Sequence, residues 1–210
     1  TVIKAKKSRN HTELLLKYLK YPIKVKSKGA YDHIEVKGLN QIRAFDYKVP
    51  GDISSAAFFI VLTLLSKKSE LLIKKVNINK SRIGIIKILN MMNAKIKLKN
   101  KRIYKGEEIA DIYVKSKNNF KSINCPSNLN SSAIDELLLI MCLVAAKAKG
   151  ISTFHELGEL NQKESKRLDI AIRFLKMIGI KVLRNKDDIK IYGNPNLNLY
   201  GSYVMKDFLK

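Results

Sequence analysis

The 210-residue sequence predicts an α/β (α+β) chain built from repeated units, each running helix, strand, helix, strand, strand. Two observations carry that expectation. Helical periods and short alternating strands follow one another along nearly the whole chain, and the order found between residues 52 and 114 recurs between residues 132 and 192. The copies also align locally, Leu89-Asn90-Met91-Met92-Asn93-Ala94-Lys95-Ile96 with Leu175-Lys176-Met177-Ile178-Gly179-Ile180-Lys181-Val182, and Ser54-Ser55-Ala56 with Ser131-Ser132-Ala133.

Taken in order, Thr1-Val2-Ile3 reads as a strand already under way. A helix from His11 to Leu19 and strands Ile23 to Lys26 and His33 to Lys37 form a third, partial copy. The first full unit has an apolar helix from Asp52 to Ser66, a strand Leu71 to Val76, and an amphipathic helix Ser81 to Met92 with Ile85, Ile86, Leu89 and Met92 at helical spacing. A hairpin of Lys95 to Leu98 against Ile112 to Val114 closes it. In the second unit Ser132 to Lys147 is apolar all round, as a buried helix should be, and Ile151 to His155 is a strand. Glu164 to Ile178 is its second helix, and Ile180 to Leu183 pairs with Ile189 to Tyr192. The array begins inside a strand, and Tyr203 to Leu209 reads as the start of another segment, so the expectation is a fragment.

With 46% apolar residues the chain can bury one large core or two modest ones. Forty-one Lys+Arg against eighteen Asp+Glu give a formal charge of +23, which makes nucleic acid the default partner. The lysines are spread among many Ile and Asn residues, however, and no RNA- or DNA-binding module signature is present. Small polyanionic substrates suit the same surface. Cys125 and Cys142 are too few and too far apart for a zinc site or a disulfide framework. The apolar run Leu137 to Ala146 is shorter than the roughly 20 residues a membrane span needs, and no charged segment leads from Thr1 into an apolar stretch, so a soluble, cytoplasmic protein is expected.

Two runs carry chemistry. Asn161-Gln162-Lys163-Glu164-Ser165-Lys166-Arg167 puts three cations and one carboxylate into the expected first turn of a helix, where each cation is unfavourable by roughly 0.3–1 kcal/mol. A bound anion would reverse that sign. A capping box of Asn161 and Glu164 with solvated lysines is the alternative. In the second run, Pro126 to Glu136, Asp135 sits at the start of the buried helix, with Leu138, Leu139 and Cys142 three, four and seven residues on. That spacing puts the carboxylate on an apolar face, a setting suited to proton transfer, although a dipole-favoured acid needs no other reason to be there. Asp135 and Glu164 occupy corresponding ends of the two helices of one unit, so one site could be lined by both.

Val49-Pro50-Gly51-Asp52-Ile53-Ser54-Ser55-Ala56-Ala57-Phe58-Phe59, Ala133-Ile134-Asp135-Glu136, Lys163-Glu164-Ser165-x-Arg167 and Ser8-Arg9-Asn10-His11-Thr12-Glu13 together resemble 5-enolpyruvylshikimate-3-phosphate synthases, in particular the bacterial glyphosate-insensitive type. The resemblance runs over the whole chain, in order and with matching spacing. It implies the enolpyruvyl transferase fold, an inside-out α/β barrel of two domains with three units each and a hinge before the Val-Pro-Gly-Asp run. Residues 1–49 would be the C-terminal part of the first (upper) domain, and residues 50–210 two units of the second (lower) domain.

The implied reaction moves the enolpyruvyl group of phosphoenolpyruvate to the 5-hydroxyl of shikimate 3-phosphate and releases phosphate. The resemblance implies no metal or organic cofactor, no nucleic acid or membrane partner, and a monomer. By the same resemblance Asp135 matches the acid that holds the 5-hydroxyl and takes its proton, and Glu164 a proton-transfer residue near the phosphoenolpyruvate methylene. Lys163, and less closely Ser8 and Arg9, match contacts to shikimate 3-phosphate, and Arg167 a cation on phosphoenolpyruvate. Lys166 and Asn10 depart from the family, which usually has Asp at both places. The family's Lys- and Ser-containing phosphate loop, Gly-rich segment and Asp-His-Arg run are absent, so the expectation is half an active site that cannot turn over alone. The related transferase that uses UDP-N-acetylglucosamine shares the fold, but the Lys-Glu-Ser-x-Arg run favours the shikimate enzyme.

Overall fold

The computed structural model describes residues 1–117, 119–162 and 165–199. Lys163 and Glu164, and the expected segment Tyr203 to Leu209, lie outside the described residues. Among the described residues three three-stranded sheets are formed, and all are wired alike. Strands β1 (Val2–Lys6), β2 (Ile23–Lys28) and β3 (Tyr31–Val36) lie in the order β1-β3-β2. Strands β4 (Glu70–Asn77), β5 (Lys97–Tyr104) and β6 (Glu107–Lys115) give β4-β6-β5, and β7 (Gly150–Phe154), β8 (Val182–Asn185) and β9 (Asp188–Gly193) give β7-β9-β8. In each sheet the third strand inserts antiparallel between the first two, and a helix connects those two: α1 (His11–Tyr18), α3 (Gly84–Met91) and α6 (Arg167–Met177). The partial first copy is therefore a strand-helix-strand-strand unit like the other two.

The three connecting helices also end alike. In each, the residue after the C-cap is left-handed, Lys20 at φ 56°, Asn93 at 75° and Gly179 at 79°. The next N–H then closes a six-residue loop to a helical carbonyl, Tyr21 to Leu16 at 2.9 Å, Ala94 to Leu89 at 2.9 Å and Ile180 to Leu175 at 2.8 Å. The aligned segments Leu89–Ile96 and Leu175–Val182 are this closure, which satisfies orphan carbonyls and throws the chain back toward the sheet.

Helix α2 (Ile53–Leu65) starts where expected, because Asp52 accepts the Ser55 N–H at 2.8 Å as an N-cap. The hairpin pairs Leu98 with Ile112, and Val182 faces Ile191, as the sequence indicated. The apolar stretch expected as one helix from Ser132 to Lys147 is broken. It runs as α4 (Asn130–Ala133), a turn through Ile134–Glu136, α5 (Leu137–Leu139) and a π-helical run Ile140–Ala145. Its buried side chains, among them Leu137, Ile140, Met141 and Val144, pack with Ile53, Ala57, Ile60 and Leu64 of α2 in one core. That core runs from Ile53 to Ile191, and no residue before Ile53 is buried.

The first unit is seated on this core through the β5–β6 turn. Glu107 accepts from Asn79 Nδ2 at 3.2 Å and meets His11 Nδ1 at 2.5 Å, and Asn79 also donates to Asn10 Oδ1 at 2.9 Å. Tyr18, Phe45, Tyr47 and Tyr104 form a chain of ring contacts that holds the connecting segment down. That segment ends in a parallel bridge, with Gly51 exchanging backbone hydrogen bonds with Lys75 and Asn77 beside β4. Among the described residues no single helix is long and apolar enough to cross a bilayer.

Candidate active site

Each connecting helix is entered from a strand by a loop, and the three loops meet. Ser8 and Arg9 lie between β1 and α1, Lys80 and Ser81 before α3, and Arg167 opens α6. With the α4–α5 turn they line one cleft of about 790 Å³. Each of these helices begins beyond the carboxyl end of a strand, so free N–H groups and loop side chains converge on the cleft. Among the described residues, Lys6, Lys7, Arg9, Lys80, Lys87 and Arg167 face it, with Asp135 and Glu159 as the carboxylates.

Asp135 sits between two guanidinium groups drawn from different units. Arg9 Nη2 donates to its Oδ2, and Arg167 Nη1 stands 3.6 Å from Oδ1. The Asp135 side chain keeps 27% of its surface exposed and Arg167 26%, so both reach the cleft without lying open to bulk water. A carboxylate ringed by cations can accept a proton from a hydroxyl while the cations balance phosphate or carboxylate groups on the same molecule.

The structure thus brings Ser8, Arg9, Asp135 and Arg167 together. Asp135 does not sit where the hydrophobic spacing places it. It occupies the turn just ahead of α5 and not the first turn of one long helix, so it shares no helical face with Leu138, Leu139 and Cys142. The buried carboxylate is its neighbour, Glu136, which is 2% exposed and accepts the Ser54 hydroxyl at Oε1. Burial, reinforced by Asp135, pushes the Glu136 pKa up, against the Ser54 hydrogen bond and Arg82.

The start of α6 is corrected too. The helix begins at Arg167, later than the sequence indicated, and Lys166 occupies the N-cap without a side-chain capping bond. Asn161 ends a 3₁₀ turn, Gly158–Asn161, yet still caps the helix from outside: its Oδ1 accepts the Leu168 N–H at 3.0 Å and its Nδ2 donates to Asp169 at 3.3 Å. Lys80, Ser81, Lys87 and Arg82 carry no expected site role in the sequence, and Ser54 and Glu136 enter it only as members of the family-like runs. The repeat held the signal for some of them, since Lys80 and Ser81 precede α3 much as Arg9 precedes α1.

This architecture is that of the enolpyruvyl transferases. The enolpyruvyl transferase NikO of Streptomyces tendae superposes with a TM-score of 0.57 over 91% of this chain and 42% of its own, and at 13% identity that likeness shows the fold alone. EPSP synthase from Acinetobacter baumannii superposes with a TM-score of 0.80 at 34% identity, over 91% of this chain and 43% of that one. The family model for EPSP synthase (3-phosphoshikimate 1-carboxyvinyltransferase) matches residues 1–206, and the chain belongs to the EPSP synthase family. Among curated relatives, the 3-phosphoshikimate 1-carboxyvinyltransferase of Petrotoga mobilis is 39% identical over 93% of this chain and 44% of its own length. That of Thermodesulfovibrio yellowstonii is 35% identical over 99% and 47%. The chain therefore spans less than half the length of these relatives.

Proposed function

We propose that this chain supplies one side of the active site of an enzyme that transfers the enolpyruvyl group from phosphoenolpyruvate to the 5-hydroxyl of shikimate 3-phosphate. The observation that carries this reading is the junction of Arg9, Asp135 and Arg167, three residues from three loops, in a cleft rich in cations. Both substrates are polyanions, which accounts for cations where a helix start disfavours them.

In the reaction the acceptor oxygen bonds to C2 of phosphoenolpyruvate while C3 takes a proton, and loss of phosphate from C2 and of a proton from C3 then restores the double bond. Asp135 takes the hydroxyl proton, Arg167 holds phosphoenolpyruvate, and Ser8 and Arg9 hold shikimate 3-phosphate. Lys163 as a second shikimate 3-phosphate contact and Glu164 as the proton-transfer residue at C3 rest on the family resemblance. The Arg9–Asp135 pair opens as substrate enters.

In this reading residues 1–49 close one domain and residues 50–210 are two units of a second; a core confined to Ile53 through Ile191 supports that division. The enzyme so proposed is cytoplasmic and monomeric, with no nucleic-acid partner. The test is phosphate release from the two substrates by the protein extended to the full length of its relatives, with Asp135→Ala beside it. Release that requires both substrates and falls at least about 100-fold in the variant is expected. Release driven equally well by UDP-N-acetylglucosamine as acceptor would overturn the substrate assignment, and undiminished release by Asp135→Ala would overturn its role.

A further inference from the structure

The turn that presents Asp135 to the cleft turns its neighbour the opposite way. Glu136 is buried, and its carboxylate is held by the hydroxyl of Ser54 in the first turn of α2. The chain of contacts continues outward. Arg82 Nη2 donates to Ser54 Oγ at 2.5 Å and to Asp52 Oδ1 at 3.1 Å, and Asp52 caps α2 through the Ser55 N–H. Asp52 directly follows Gly51, where the connecting segment from the first unit bridges to β4. The only break in the buried helix before its π-helical run falls at these residues, with the Glu136 N–H turned back to the Ala133 carbonyl at 2.9 Å.

We infer that Glu136 is a positioning residue for Asp135: its buried anchor on Ser54 sets the turn, and through Arg82 and Asp52 ties the place of Asp135 to the segment that joins the first unit to the core. An apolar side chain of similar size would fill the core equally well, and a regular helix would leave Asp135 pointing along a different direction. The polar anchor specifies the turn, at the cost of burying a carboxylate. Because Asp135 must face a cation from the first unit, Arg9, and one from α6, Arg167, a shift of about 1 Å in the turn lowers the rate by up to about 100-fold without removing a single contact to substrate.

This inference rests on the role proposed for Asp135, and the experiment separates the two. Glu136→Ala, Glu136→Gln and Ser54→Ala are made in the protein at the full length of its relatives, and steady-state phosphate release is measured with each substrate varied. Glu136→Ala and Ser54→Ala are expected to lower kcat about 10- to 100-fold with each KM within about threefold. Glu136→Gln, whose amide oxygen still accepts the Ser54 hydroxyl, is expected to stay within about threefold of the parent kcat. A purely structural role would instead lower the active fraction of all three in proportion to lost stability. Should Glu136→Ala not fold, Ser54→Ala interrogates the same bond from its other end.

Unchanged kcat in folded Glu136→Ala or Ser54→Ala overturns the inference, as does a loss confined to KM. If the parent protein itself releases no phosphate, the proposed reaction fails, and a crystal structure of Ser54→Ala decides the positioning claim alone. Asp135 displaced from Arg9 and Arg167 upholds it, and Asp135 unmoved between them overturns it.

Discussion

Asp52 and Glu136, joined through Arg82 and Ser54, respond to pH in opposite senses. For Asp52 burial pulls the pKa up, but the Ser55 N–H and hydroxyl and the Arg82 guanidinium outweigh it, and the folded value lies below the ordinary 3.8. Its contribution to stability is complete above that ordinary value and is lost as pH falls through the lowered one. Replacing the cap by Ala is expected to lower stability at neutral pH by about 1 kcal/mol, and Asn by only a few tenths, read from urea unfolding midpoints. For Glu136 burial dominates and the folded value lies above the ordinary 4.5. Its stabilising effect is complete below pH 4.5 and is lost as pH rises through the raised value. Glu136→Gln should therefore become more stable relative to the parent as pH climbs from 4.5 toward neutrality, and a flat difference across that window would show that the carboxylate is not desolvated. Cys125 is buried and Cys142 half-buried against the core, and the loss of water pushes their thiols up to about 11 and about 12. Neither is expected to react with a disulfide reagent at pH 8 until the protein is denatured. Ser8, Arg9, Asp135 and Arg167 were legible in the sequence through family motifs, whereas the inward turn of Glu136 was not, because an Asp-Glu pair at the start of an apolar run looks the same whichever carboxylate is buried.

At the level of elements, local signals were reliable where the chain satisfies itself locally. Helix α2 was legible because Asp52 supplies its own cap, and the ends of α3 and α6 were legible as a repeat because each closes with a left-handed residue. Boundaries failed where a distant group supplies the missing bond. The start of α6 depends on Asn161, seven residues before the N–H it caps, and the break after α4 depends on Ser54, in another helix. Hydrophobic periodicity carries no record of either contact. The left-handed closures lead to a measurable expectation. Lys20 holds φ 56°, a conformation that costs an L residue about 1 kcal/mol relative to glycine, so Lys20→Gly should raise stability by about 0.5–1 kcal/mol, while Gly179→Ala should lower it by a similar amount. Gly84 gives the converse case. A Cβ there would stand 2.5 Å from Ser132 Oγ and 2.8 Å from the Ala133 Cβ, so α3 and α4 meet backbone to side chain with no room to give. Gly84→Ala should cost about 1–3 kcal/mol, read from urea unfolding midpoints, and in a protein of the relatives' full length that carries the proposed activity, the push on α4 should lower phosphate release by more than that loss explains.

For the molecule as a whole, the largest contrast is between a core closed on one side of α2 and a bare apolar surface on the other. Ile53, Ala57, Ile60 and Leu64 are at most 1% exposed, whereas Phe58, Phe59 and Leu62 are 62%, 60% and 63% exposed on the same helix. Contiguous exposure of two phenylalanines and a leucine is the mark of a surface made for contact. The 210-residue chain should accordingly bind an apolar dye and self-associate. Its charge of +23 opposes association by mutual repulsion, and that repulsion reaches about 10 Å at 0.1 M salt and only about 3 Å at 1 M. Association through the apolar face should thus strengthen as salt is raised, the opposite of binding to a polyanion, which weakens. Analytical ultracentrifugation across that salt range separates the two. Replacing Phe58, Phe59 and Leu62 by serine should abolish the salt-promoted species with little change in the unfolding midpoint of the chain, since none of the three belongs to the core. If the same replacements in a protein of the relatives' full length lower its stability by several kcal/mol, the face is covered there by further chain; if they leave it unchanged, the face stays open in the larger protein too.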